Sequence, residues 1–308
     1  MPAHFCGIFA HKPTFLLVPP RGHAPPGVPA LPGSVPLAVI GPMARCADDL
    51  ETLLDVIAGP DELEDGVAYC LALPLARHAR LADFRVLVVD EHPLTATENG
   101  VAAAIGEFAT RLEKAGVKVA RRNEALPDPV LAAQVYFRIL SAIFAARAPE
   151  EEYAQRQAAA AAMDPSDQSL SAQMLRGATM TFRQWAADNG WSMALRARWR
   201  SLFAEFDAVI SPVTPTPAFP HDHSPDQQTR RLVINGEPHP YMDSMLWAGV
   251  ATLPGLPATA LPIGRSPEGL PIGAQIIGPL LEDRTPIHLT RLIEREFGGF
   301  QPPSDFPA

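Results

Sequence analysis

The side chains best suited to hydrolytic chemistry in this sequence are a few serines, histidines and lysines, most of them in proline-rich stretches. A serine hydrolase needs a nucleophile beside an activating base, with hydrogen-bond donors placed for the oxyanion. Ser34 sits in Pro32-Gly33-Ser34-Val35-Pro36, which is not the Gly-x-Ser-x-Gly elbow of a strand-to-helix nucleophile turn. Ser211 ends a strand-like run just before Pro212, with no activating residue beside it in sequence. Loop hydroxyls commonly satisfy nearby backbone groups, and both serines are expected to do that. His221-Asp222-His223 could offer two imidazoles to one metal, with His239 as a third ligand. A single His-x-His without a helical or supporting-ligand context falls short of a zinc motif, so a solvated loop is expected, with no metal and no cofactor. The lysines are Lys12, Lys114 and Lys118, the last two at a helix end and the strand after it, where exposure is expected. No Gly-x-Gly-x-x-Gly or phosphate loop occurs, so nucleotide binding has no support.

These residues must be positioned by an α/β architecture. Leu50, Leu53, Leu54 and Ile57 follow helical spacing after Cys46, and Asp48 and Asp49 lie in the first turn, where the helix dipole favours carboxylates. Phe84–Asp90 reads as a strand buried on both faces. A helix follows over Thr97–Ala115 with the stripe Val101, Ile105, Phe108, Leu112, then Gly116 as a cap and a second strand at Val117–Val119. Strand, helix, strand over residues 84–122 is a βαβ unit, so part of the sheet should be parallel. Residues 126–206 read as a helical layer: Pro129–Ala148, Glu150–Met163, Ser166–Gly177 and Trp191–Phe206. Residues 207–300 return to strands at Asp207–Ile210, Pro257–Pro262 and Ile272–Ile277, closing with an amphipathic helix over Asp283–Phe297. Met1–Pro42 reads as loop-rich.

Length and charge narrow the function classes. The 308 residues can bury a sizeable core, and 47% hydrophobic with 19% charged residues suits a soluble globular protein. A net charge of −9 lacks the basic surface that nucleic-acid binding or an anionic membrane would use. No apolar run approaches the roughly 20 residues of a membrane span, and no signal peptide is visible, so the cytoplasm is the expected compartment. Cys6, Cys46 and Cys70 have neither the count nor the spacing of a disulfide or zinc framework and are expected reduced and buried. The 34 prolines cluster in Val18–Pro36, Ser211–Pro220, Pro238–Pro240 and Leu253–Pro271, which are expected as ordered, extended loops.

Several of these segments together resemble the amidase-signature family of serine hydrolases, which cleave carboxylic amides. Pro2–Thr14 (PAHFCGIFAHKPT) resembles the stretch directly after that family's nucleophile. Ile40-Gly41-Pro42-Met43-Ala44-Arg45, leading into Asp48-Asp49-Leu50 and Ile57-Ala58-Gly59-Pro60-Asp61, is similar to its Gly-Pro-Met-Ala-Arg helix start. Phe206–Pro212 with Thr214–Phe219 resembles the strand and loop beside its substrate funnel. Pro254–Ala258 and Gly269–Pro279 look like its C-terminal strand pair. The segments follow the family's order along the whole chain.

The resemblance implies an amidase-like mixed sheet surrounded by helices, a single partial domain over residues 1–308 with the N-terminal part of the fold missing. The family's nucleophilic serine, cis-peptide serine and lysine would lie upstream, the nucleophile about three residues before Met1. No catalytic residue can therefore be carried over, and Lys12 matches the family's Lys-Pro-Thr, not its catalytic lysine. The substrate wall is what this stretch would keep: Tyr241, Asp243 and Trp247 before Pro254, with Tyr136 and Arg138 on the first long helix. Three expectations compete: an amidase lacking its catalytic third, a non-catalytic amide-binding or regulatory module, and one half of a split enzyme completed by a chain carrying the serines and lysine. Removing part of one sheet would expose strand edge and apolar surface, so a homo-oligomer or a complementing partner is expected.

Overall fold

The computed structural model describes residues 1–24, 33–224, 227 and 229–303. In chain order the elements are α1 (Pro2–Cys6), β1 (Phe9–Lys12), β2 (Met43–Ala44), α2 (Ala47–Ile57), β3 (Arg85–Val88), α3 (Asn99–Lys114), β4 (Lys118–Ala120), α4 (Pro129–Ala145), α5 (Glu150–Ala162), α6 (Leu170–Ala178), α7 (Phe182–Glu205), β5 (Ala208–Pro212), β6 (Arg231–Ile234), β7 (Glu237–Pro240), α8 (Leu246–Thr252), β8 (Ala258–Arg265), β9 (Pro271–Ile277) and α9 (Arg284–Phe297). Seven strands form one mixed sheet in the order β2-β1-β8-β9-β5-β3-β4, while β6 and β7 make a separate hairpin. The expected βαβ unit is present: β3 and β4 run parallel across α3, and β5 joins β3 in parallel. Every other pairing in the sheet is antiparallel.

Alternation along the strands gives the sheet two apolar faces. Val86, Val88, Ala208, Ile210, Ala274 and Ile276 point to one side, where Leu50 and Leu54 of α2, Phe108 and Leu112 of α3, and Ile287 and Ile293 of α9 cover them. Leu87, Val209, Ala258 and Ile277 point to the other, against Phe137 of α4, Trp199 and Leu202 of α7, and Trp247 of α8. Helix caps follow from local chemistry. The Asp128 carboxylate accepts from the Val130 and Leu131 N–H groups ahead of α4, and Gly116, at φ 91°, ends the turn after α3 as expected.

Four expectations need correction. The loop-rich start contains α1 and β1, the latter paired with β8 through Ala10–Ala260 and His11–Thr259; four residues are too few for a periodic signal. Helix α7 begins at Phe182, well before Trp191, because Thr181 and Gln184 form a reciprocal capping box. Cys6 and Cys70 are exposed and Cys46 is half-buried, so the thiols are not core residues. Three proline clusters contain strand: Pro212 ends β5 opposite Ala274, Pro238 and Pro240 lie in the two-stranded hairpin, and Pro262 lies in β8 at a register shift. Strand β1 pairs only with Ala258–Ala260, so at Pro262 no N–H is needed on that side. Residues 25–32 of the first proline cluster lie outside the described residues.

Candidate functional site

The Ser/Thr-Pro run after β5 is a buried, tethered loop. Residues 211–217 are all buried. Gln275 of β9 donates from Nε2 to Ser211 Oγ (3.0 Å), to the Pro212 carbonyl (3.0 Å) and to the Trp247 carbonyl (2.9 Å), tying β5, the loop and α8 together. Thr214 Oγ1 donates to the Ser244 carbonyl at 3.3 Å. On the opposite flank His4 of α1 donates from Nε2 to the Thr216 carbonyl (3.1 Å) and accepts at Nδ1 from the Gly273 N–H (2.9 Å). Both ring nitrogens are used by the neutral imidazole, and burial drives the His4 pKa down to about 4.

The loop borders an apolar cavity of about 40 Å³ on the α4–α7–α8 side of the sheet, with Val89, His92, Pro129, Trp199, Ser211 and Trp247 in its wall. Trp247 is fully buried, its ring meets His92 edge-on at 5.7 Å, and its indole Nε1 has no hydrogen-bond partner. Burial lowers the His92 pKa to about 4, against a raising contact with the Pro129 carbonyl. The cavity walls are therefore neutral, and Trp247, one of them, carries a buried N–H donor without a partner. Of the five expected wall residues, only Trp247 lines it. Tyr136 is buried behind it, its ring so close to α8 that a Cβ on Gly249 would sit 2.6 Å from Tyr136 Cδ1. Gly249→Val is expected to cost about 1–3 kcal/mol by overpacking, read from a urea melt; an unchanged midpoint would contradict this packing.

Tyr241 and Asp243 lie on the 3-10 turn entering α8, beside the cavity wall. Tyr241 stands edge-on to Phe219 at 6.0 Å, and Phe219 meets Phe5 of α1 at 5.7 Å, an aromatic chain from the start of the molecule to this turn. Asp243 is buried, with Thr95 Oγ1 at 3.4 Å and His239 Nδ1 at 3.8 Å, and burial raises its pKa. Arg138 is committed elsewhere. Its guanidinium makes a paired contact with Asp188 at 2.7 and 2.8 Å and a third bond to Gln173 Oε1 at 2.7 Å. The structure thus groups Tyr136, Tyr241, Asp243 and Trp247 around α8 and leaves Arg138 bracing α4 against α7.

A second array has the form of a hydrolytic relay and is sealed in the core. Thr259 Oγ1 lies 2.9 Å from His11 Nδ1, and His11 Nε2 lies 3.1 Å from Asp283 Oδ1. The His11 and Asp283 side chains are both fully inaccessible, and Thr259 is fully buried. Asp283 also accepts from Thr14, from N–H to Oδ1 and from Oγ1 to Oδ2, both at 2.7 Å. Against the raising effect of burial, His11 first and then the two Thr14 bonds hold its pKa below the ordinary carboxylate value. With no opening to solvent, the array clamps β1 and β8 to the start of α9. Lys12, next in β1, is half-buried with Nζ on the Pro13 carbonyl at 3.1 Å, and burial lowers its pKa to about 8.

Among the described residues no serine hydroxyl is hydrogen-bonded to a lysine or histidine. Ser34 is exposed, and Ser211 Oγ faces Gln275 and the Pro212 carbonyl. His221 and His223 face each other edge-on at 5.8 Å in an exposed stretch, while His239 belongs to Asp243. Lys114 and Lys118 are exposed as expected. His4, His92, Gln275 and the His11–Asp283 pair went unnoticed in sequence. Gln275 and Asp283 are far in sequence from what they hold, so no local spacing announces them.

Comparison with known proteins gives this arrangement a family. The amidase family model matches residues 1–286. A glutamyl-tRNA(Gln) amidotransferase subunit from Thermus thermophilus is 30% identical over 304 residues, covering 92% of this chain and 59% of that protein. The solved structure of the corresponding subunit from Thermotoga maritima superimposes with a TM-score of 0.70 at 22% identity, covering 96% of this chain and 59% of the other. A bacterial aryl acylamidase of the amidase-signature group gives 0.69 at 18% identity, covering 96% and 60%. The chain thus spans about three-fifths of the length of the relatives it matches. With the family model running from α1 into α9 over the fold just described, the chain belongs to the amidase family.

Proposed function

We propose that this chain supplies the substrate-side wall of an amidase that hydrolyses a small carboxylic amide, and that its 308 residues do not complete the reaction alone. The observation that carries this is the pairing of a neutral, largely apolar cavity beside Trp247 with the lack, among the described residues, of a serine hydroxyl hydrogen-bonded to a lysine or histidine. The only hydroxyl–imidazole–carboxylate series there, Thr259–His11–Asp283, is closed to substrate. An amide needs an activated nucleophile and oxyanion donors, and both would come from the Gly-Gly-Ser-Ile-Arg-type segment that the family places ahead of α1. Family relatives named as amidotransferase subunits support completion by other polypeptide segments or chains. Three free thiols agree with a reducing compartment such as the cytoplasm.

The test is an assay of short aliphatic amides, anilides and glutamine with the purified chain, alone and after co-expression with the N-terminal segment of an amidase relative. No turnover alone and release of ammonia or amine after complementation are expected. Turnover by the chain alone that disappears when one of its own residues is substituted would end the proposal. A second reading, an amide-binding module without chemistry, is favoured by the unpartnered Trp247 indole N–H, a donor suited to a carbonyl. It would be distinguished by saturable quenching of tryptophan fluorescence with an uncleaved amide, together with failure of complementation.

A further inference from the structure

A second cleft, walled by Phe108 and Ile293 of the opposite core, lies away from the Trp247 cavity and owes nothing to the amidase reading. Its volume is about 230 Å³, and Arg111 of α3, Arg265 at the end of β8 and Gln301 beyond α9 line it. Room for several water-sized groups accommodates a small ligand, since a water occupies about 30 Å³. The Arg111 guanidinium rests 4.4 Å over the Phe297 ring and makes only long contacts, 3.5 Å each, to the Ile263 and Phe297 carbonyls. Arg265 donates to the Gly269 carbonyl at 3.0 Å. Among the described residues neither arginine has a carboxylate within ion-pair distance, unlike Arg77, Arg138 and Arg284, which pair with Glu282, Asp188 and Glu51. Glu294, next to Ile293 of the cleft wall, accepts the Ala47 N–H at Oε2 (2.8 Å) while its other oxygen lies beside Gly299, and Glu268, three residues after Arg265, is bonded to Ser266.

We propose that this cleft binds a small oxyanion, a phosphate or carboxylate group held between the Arg111 and Arg265 guanidiniums. Each guanidinium keeps N–H donors beyond those its carbonyl contacts use, and planar guanidinium donors match two oxygens of such a group. Phe297 fixes the plane of Arg111, which lowers the ordering cost of binding. The net charge of −9 repels anions at a distance, so two unpaired arginines in one concave site mark a local exception to the molecule's field. Phosphate monoesters and free carboxylates share this chemistry, and the choice between them is left to the ligand's shape.

Isothermal titration calorimetry of the 308-residue chain with inorganic phosphate, and separately with succinate, in sodium chloride of matched ionic strength tests the proposal. Saturable binding of one equivalent of at least one of the two anions is expected, phosphate alone marking a phosphoryl ligand and succinate alone a carboxylate. Arg265→Met and Arg111→Met should each weaken it by about tenfold or more, the scale of one charge-assisted contact. Arg265 is exposed beside a turn, so its variant should melt like the parent and keep the test valid if Arg111→Met folds poorly. No saturable heat with either anion, or equal affinity in parent and Arg265→Met, overturns the proposal.

Discussion

Replacing Asp283 by alanine is expected to destabilise the chain by about 3–5 kcal/mol, the largest single-residue effect anticipated. The carboxylate is fully buried and serves three donors, His11 Nε2 and the N–H and hydroxyl of Thr14. Alanine would leave all of them without an acceptor, and a buried unsatisfied donor costs about 1–3 kcal/mol. The loss reaches three parts of the fold, because His11 lies in β1, Thr14 in the turn after it, and Asp283 at the cap of α9. Asp283→Asn keeps one carbonyl oxygen and is expected to cost less. Urea unfolding of both variants measures this; an alanine penalty under about 1 kcal/mol would show the network to be dispensable. The Asp283 pKa is depressed in the fold, so its contribution is complete above the ordinary carboxylate value of 3.8 and is lost only as pH falls through its lower folded value.

Acid sensitivity at milder pH is expected from two other groups. His4 and His92 are both held neutral, their pKa values lowered from 6.5 to about 4 chiefly by burial. The unfolded chain takes up these protons below about pH 6.5 while the folded chain resists until about 4, so stability falls as pH drops through that window. The upper bound is about 3 kcal/mol per histidine, from 1.36 kcal/mol per pKa unit. Protonating His4 also removes the acceptor that the Gly273 N–H uses, loosening α1 from β9. Urea midpoints across this range should decline, and His4→Gln should flatten the slope by about one proton's worth. A parent midpoint constant from neutral pH to about 4 would refute the assignment.

The helices and the parallel part of the sheet could be read from sequence because their signals are local. The Val101, Ile105, Phe108, Leu112 stripe is buried on α3 as expected, and the β3–α3–β4 unit closes in parallel. The amidase motifs were legible for a similar reason: Pro2–Thr14 and Gly41–Arg45 keep their residue types and order, and the family model confirms the membership they implied. Short elements stayed invisible. Strands β1 and β2 are four and two residues long, and their pairing energy comes from partners far along the chain.

The candidate site divides along the same line. The family, the α/β alternation and the proline-rich stretch after β5 are all written in neighbouring residues, whose backbone preferences or motif order suffice. What the individual side chains do was set by contacts made on folding. Those contacts turned Arg138 from a wall candidate into half of an ion pair with Asp188 and set His4 between Thr216 and Gly273. They also sealed the Thr259–His11–Asp283 series where no amide can reach it. Burial and hydrogen-bond partnership arise from contacts between residues hundreds of positions apart, such as His11 and Asp283, and no local pattern encodes which distant group a side chain will meet.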